Sequence, residues 1–221
     1  GMYIWTGFDY LGEPTPYWWP ARSSYFGIID MAGFPKDAYY MYQSEWTEKP
    51  VLHIFPHWNW TPGQVVDVWA YTNCDEVELL INGNSLGRQM KTDEKLHLLW
   101  RIDYEAGTVT GVGYKDGIEI MREEVKTAGE PAAIVLTPDR PEIMADGSDL
   151  SFITVTVVDK EGVPVPKADN LIKFSVDGKG TIAGVDNGSQ TSMEPFKADF
   201  RKAFNGKCLL VVKAGTEAGN I

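Results

Sequence analysis

The run Glu76-Val77-Glu78-Leu79-Leu80-Ile81-Asn82-Gly83-Asn84-Ser85 decides the fold class. Glu76 to Ile81 has the period-two character of a strand, and Asn82-Gly83-Asn84-Ser85 is a strong signal for a tight hairpin turn. Strand candidates lie on both sides of it. Upstream are Val51 to Phe55 and Gln64 to Tyr71, where Val66, Val68 and Ala70 alternate against Val65, Asp67 and Trp69. Downstream are Leu96 to Ile102, Thr108 to Tyr114 and Ile118 to Lys126, the last pair joined by Asp116-Gly117. Five or six short strands at this spacing predict a β-sandwich of immunoglobulin type over residues 50–128.

Ala128-Gly129-Glu130-Pro131 is a short linker, and a second β-rich unit follows over residues 129–221. Its predicted strands are Ala133 to Leu136, Ser151 to Val158, Ile172 to Val176, Gly180 to Ala183, Ala198 to Ala203 and Cys208 to Ala214. Asp159-Lys160-Glu161-Gly162 and Gly178-Lys179-Gly180 are turns. The chain stops at Ala218-Gly219-Asn220-Ile221, where a closing strand is expected to start. The second sandwich is therefore expected to lack its last strand and to carry an open edge.

The first 60 residues differ in kind, because 17 of the 27 Phe, Trp and Tyr residues fall there. Tyr3-Ile4-Trp5 is an apolar run fit for a buried strand. It breaks into Thr6-Gly7-Phe8-Asp9-Tyr10-Leu11-Gly12-Glu13-Pro14-Thr15-Pro16-Tyr17, a loop with two carboxylates, two glycines, two prolines and several aromatics. A parallel barrel builds its active-site wall from such strand-to-loop transitions, and flat rings beside acidic acceptors suit a sugar. An aromatic core strand with a Gly/Pro turn fits the same residues. A helix follows from Phe34-Pro35 to about Glu48, with Asp37 at its positive end and Ala38, Tyr39, Met41, Tyr42, Glu45 and Trp46 at helical spacing. Gly1-Met2 has the look of a cloning remnant joined to an internal start.

Tyr3 to Tyr17, with Trp19-Pro20-Ala21-Arg22-Ser23-Ser24-Tyr25-Phe26-Gly27-Ile28-Ile29-Asp30 and Gly33-Phe34-Pro35-Lys36-Asp37-Ala38-Tyr39-Tyr40, resembles the end of a catalytic barrel. The family is glycoside hydrolase family 2, in particular its bacterial β-galactosidase-like members. Leu80-Ile81-Asn82-Gly83-Asn84-Ser85-Leu86-Gly87 resembles the small sandwich that follows that barrel. Gly184-Val185-Asp186-Asn187-Gly188 resembles part of the family's bacterial immunoglobulin-like C-terminal module. The resemblance implies a mainly β chain: two immunoglobulin-like β-sandwiches in tandem, preceded by a strand-loop-helix remnant of a (β/α) barrel over residues 1–49. It implies that Trp5 is the tryptophan flooring the reactive sugar subsite and Asp9 the acid of the following loop, with Tyr10 and Glu13 as weaker substrate-binding candidates. The helix, the last of the barrel, then needs another surface, such as the downstream domain or a neighbouring chain.

The chemistry implied is retaining hydrolysis of terminal β-glycosides by two carboxyl groups roughly 5–5.5 Å apart. In the family both are glutamates on earlier barrel strands, the acid/base being preceded directly by Asn. No Asn-Glu pair occurs in this sequence, so no residue here is assigned as catalytic and the chain alone is expected to be inactive. Asp9 and Glu13 are a poor substitute pair, because nothing fixes their separation or raises one pKa. A β-galactoside is the substrate most expected, with β-glucuronides and β-mannosides handled on the same fold. The family needs no cofactor, and its relatives are mostly periplasmic or secreted. The competing reading is a non-catalytic carbohydrate-binding or cell-surface module of two sandwiches.

Other constellations carry less. His53 and His57 flank Pro56 in strand-like sequence, a poor metal pair, and no metal is expected. His97 has no obvious partner. Trp58-Asn59-Trp60 is either an exposed sugar-stacking platform or, the favoured reading, a seam between barrel and sandwich. Asp186-Asn187-Gly188 reads as a turn rather than half a calcium loop. Cys74 and Cys208 are expected as free thiols. A net charge of −11 over 221 residues argues against nucleic acid and anionic membrane surfaces. No run approaches a membrane span. A homo-oligomer formed through the exposed barrel remnant or the open sheet edge is a further expectation.

Overall fold

The computed structural model describes residues 3–221; Gly1-Met2 lies outside the described residues. The chain folds as two compact units. One comprises residues 35–128, and the other joins the segment up to Phe34 with residues 129–221. The mainly β architecture follows the sequence reading, in antiparallel sheets throughout.

In the first unit, helix α1 (Asp37–Trp46) precedes β1 (Leu52–Phe55), β2 (Val65–Thr72), β3 (Glu76–Ile81), β4 (Asn84–Met90), β5 (Leu98–Asp103), β6 (Thr108–Lys115) and β7 (Ile118–Lys126). One sheet has the order β1-β2-β5 and the other β4-β3-β6-β7. Alternate residues point inward, so Val66, Val68 and Ala70 of β2 and Val77, Leu79 and Ile81 of β3 share one core with Leu52, Ile54, Leu98 and Trp100. Asn82 and Gly83 take φ of 50° and 82°, the pair of positive values that matches a two-residue turn to strand twist.

Strand β4 was not expected. Asn-Ser-Leu-Gly-Arg-Gln-Met has no alternation because this edge strand is exposed along nearly all its length, and its ladder to β3 decides its conformation. Trp58 departs from both sequence readings. It is 1% exposed, its indole N–H donates to the Glu105 carbonyl (2.8 Å), and its ring meets Tyr104 edge-on, so it is a core residue with no face for a sugar. Asn59 ties the end of the unit to the same place through both backbone groups of Ala128.

Helix α1 lies on β1 and β2. Lys91 reaches Glu45 at 2.9 Å, and His53 of β1 is held between the rings of Tyr40 and Phe55. His53 Nε2 is 2.9 Å from Asp37 Oδ1 and its Nδ1 is 3.6 Å from Glu123 Oε1. His57 instead stacks on Trp60 and His97 on Trp69, so the three histidines work separately.

The second unit contains β8 (Ala133–Pro138), β9 (Leu150–Val158), β10 (Leu171–Lys173), β11 (Gly180–Asp186), β12 (Phe200–Lys202) and β13 (Lys207–Ala214). Its sheets run β11-β13-β9-β8 and β10-β12. Cys208, Leu210, Val212 and Ala214 alternate inward on β13 and meet Val155 and Val157 of β9 in the interior. Both cysteines are free and buried, and burial pushes the Cys208 thiol up to about 12. Residues 3–5 form no strand, and Tyr3 is 92% exposed. An apolar run becomes a buried strand only where ladder partners flank it, and the described chain pairs nothing with these residues.

Burial alone lowers the His53 pKa, but its bonds to the Asp37 and Glu123 carboxylates outweigh burial and hold it above the ordinary 6.5. A raised folded pKa gives stability that is complete below the unfolded value and fades as pH rises through the folded one. The unfolding free energy of residues 35–128 should therefore fall as pH climbs past 6.5. His53→Gln should remove that part of the slope in urea titrations run between about pH 5 and about pH 9. An unchanged slope in the variant would contradict it.

Candidate substrate-facing loop

Residues 6–12 run out beside residues 22–29, which return and hold them. Ile28 N–H donates to the Thr6 carbonyl (3.2 Å), Ile29 N–H to Gly7 (3.0 Å), and Asp9 N–H to Ile29 (2.9 Å). Further along, Ser24 N–H donates to the Tyr10 carbonyl (2.8 Å), and Gly12 N–H to Arg22 (2.8 Å). The Ser24 hydroxyl, fully buried, accepts from Tyr10 N–H at 3.0 Å. Only glycine fits at position 27, since a Cβ there would lie 2.2 Å from Asp9 N and 2.4 Å from the Phe8 carbonyl carbon.

The four sequence-predicted site residues take three positions. Trp5 is 72% exposed, at the open end of the loop, and its peptide bond to Thr6 is cis. Tyr10 and Glu13 stand together, the Tyr10 hydroxyl donating to Glu13 Oε2, and Tyr10 also meets Phe26 edge-on. Asp9 lies inside, 5% exposed. Its Oδ1 accepts from Gly27 N–H (2.8 Å) and its Oδ2 from the side-chain amide of Gln190 (3.3 Å). A buried carboxylate bonded in this way braces the loop that carries it.

Gln190 was not singled out in the sequence. It lies 181 residues from Asp9, in a polar Gly-Ser-Gln stretch that carries no local signal. Around it, Arg22 N–H donates to the Gln190 carbonyl (3.1 Å) and the Arg22 guanidinium to the Ser192 carbonyl (2.6 Å). Asp186-Asn187-Gly188 is a turn organised by Arg201, whose Nη2 is 2.8 Å from Asp186 Oδ1 and 3.1 Å from Asn187 Oδ1. Among the described residues, no group of three or more His, Cys, Asp or Glu side chains is placed to hold a metal ion. No helix among them is long and apolar enough to cross a membrane.

Each unit is built of antiparallel sheets, and the aromatic loop is held against the unit that contains residues 129–221. Residues 134–221 match the model of glycoside hydrolase family 2 C-terminal domain 5, and residues 63–121 match a domain of unknown function, DUF4982. The chain is 59% identical over 220 residues to beta-galactosidase BoGH2A of Bacteroides ovatus, covering 99% of this chain and 26% of that protein. It is 29% identical over 199 residues to a beta-glucuronidase of Formosa agariphila, covering 88% of this chain and 20% of the relative. A crystal structure of a beta-glycosidase from Bacteroides vulgatus superposes with a TM-score of 0.91 at 39% identity, over 96% of this chain and 27% of that one. Residues 134–221 thus match a C-terminal domain of glycoside hydrolase family 2, and the chain spans about a quarter of the length of the relatives it matches.

The close approach at Gly27 is open to test. Gly27→Ala forces the two backbones apart and should cost about 1–3 kcal/mol, as overpacking does. The shift should appear in the urea midpoint of the unit containing residues 129–221, and an unmoved midpoint would mean that the two segments do not meet.

Proposed function

We propose that this chain supplies one wall of the sugar site in a family 2 glycosidase that cleaves terminal β-glycosides, with a β-galactoside as first choice. The observation that carries the reading is the contrast within one loop. Trp5 offers its ring at the open end, while Asp9 is buried beneath and bonded at both oxygens. Trp5 is the floor against which the apolar face of the sugar stacks. Tyr10 and Glu13, joined by their hydrogen bond, form a polar rim able to receive hydroxyls. Asp9 acts from below. Tyr3, Phe8, Trp18 and Trp19 are exposed as well, large apolar side chains of the kind that another part of the polypeptide covers.

Hydrolysis with retention needs a nucleophile and an acid/base set roughly 5–5.5 Å apart. Nothing in this loop meets that need, so both groups come from elsewhere in the full-length polypeptide and the chain alone is inert. The relatives' names favour galactoside over glucuronide, since the greater similarity is to the protein called a beta-galactosidase.

The test is to assay the full-length polypeptide and this 221-residue chain side by side on chromogenic β-galactoside and β-glucuronide. The full-length protein should turn over the galactoside faster and the chain should turn over neither. Trp5→Ala in the full-length protein should lower kcat/KM by ~10-fold or more, a loss of transition-state binding. Turnover by the chain, or a full-length protein inert on both, would defeat the proposal.

A further inference from the structure

We infer that Gln190, presented by a loop pinned to Arg201, is a positioning residue for the sugar-facing loop: its amide holds the Asp9 carboxylate and, through it, the backbone that carries Trp5. This rests on the sugar-wall reading above.

Arg201, on β12, is 1% exposed and ties both ends of the segment 186–194. Its Nη2 bonds Asp186 Oδ1 and Asn187 Oδ1 at one end, and its Nη1 donates to the Glu194 carbonyl (3.0 Å) at the other. Asn187 is fixed again through its side-chain amide, which donates to the Lys202 carbonyl at 3.0 Å. At Gly188 a Cβ would lie 2.1 Å from Asp30 Oδ2, so the absence of a side chain there lets the Asp30 carboxylate lie against the segment. A segment held at both ends and pressed against the return strand presents Gln190 with little freedom.

Gln190, itself 5% exposed, then meets Asp9. Asp9 is bound to the return strand by its own N–H and by Gly27 N–H. The Gln190 amide donates to the second carboxylate oxygen at 3.3 Å, and losing it takes a donor from a buried carboxylate. The nearest way to recover solvent is for residues 6–9 to move outward, and Trp5 moves with them. A neutral donor suits this place, since it binds the carboxylate without a second buried charge.

The test uses the full-length polypeptide. Gln190→Ala should raise KM for a β-galactoside by ~10-fold, whereas a merely structural defect removes folded enzyme and lowers apparent kcat with KM unchanged. The exchanged pair Asp9→Asn with Gln190→Glu should recover most of the lost KM. The amide introduced at position 9 still accepts from Gly27 N–H through its oxygen, and its nitrogen donates to the carboxylate introduced at position 190. Unchanged KM in an active Gln190→Ala enzyme overturns the positioning role. If Gln190→Ala does not fold, the exchanged pair decides: recovery of wild-type KM supports the role, and its absence overturns it. A wild-type protein inert on glycosides defeats the sugar-wall reading and this one with it, while an active wild type with unmoved KM in the variant defeats this one alone.

Discussion

A carboxylate taken out of water needs hydrogen-bond donors, and that need at Asp9 ties the ends of this chain together. Donors reach it from Gly27, 18 residues away, and from Gln190, 181 residues away, among others. A hydrogen bond to a charged group is worth roughly 1.5–3 kcal/mol net, and leaving such a group unsatisfied under burial costs more than leaving a neutral one. The consequence is topological. An N-terminal segment with no regular strand of its own becomes ordered by the loop of a sandwich encoded at the opposite end of the chain.

The two units solve the problem of order differently. Residues 35–128 have a full two-sheet core in which β2 and β3 alternate strictly, and Trp58 fills its interior. The second unit has a four-stranded sheet faced by only two short strands, and it buries more of its order in polar links. Arg201, Asn187, Gln190, Ser23 and Ser24 are all buried there, alongside Asp9. Such networks specify one geometry more sharply than an apolar core does, because a shifted register leaves groups unpaired.

Most of the fold is legible in the sequence, for local reasons. Val66-Asp67-Val68 and Glu76-Val77-Glu78 alternate, and Asn82-Gly83 and Asp116-Gly117 carry the positive φ that their hairpins use. The helix is legible from the spacing of its rings. β4 is not, because an exposed edge strand has no inward face to mark it. Tyr3 to Trp5 misleads because apolar character gives a strand only where partners exist. Of the site, the loop itself is legible through its density of Gly, Pro, acid and ring, and through its family resemblance. Which of its acids faces out is not. Asp9 and Glu13 look alike in sequence, and the partners that enclose Asp9, Gly27 and the distant Gln190, distinguish them.

If this chain's own contacts build the loop beneath Trp5, amide hydrogen exchange on the 221-residue chain reads it most directly. The amides of Asp9, Gly12, Ser24, Ile28 and Ile29 should exchange slowly, in the same class as those of β9 and β13, as one cooperative unit does. Free-peptide rates at those five positions, with β13 still protected, would contradict the account.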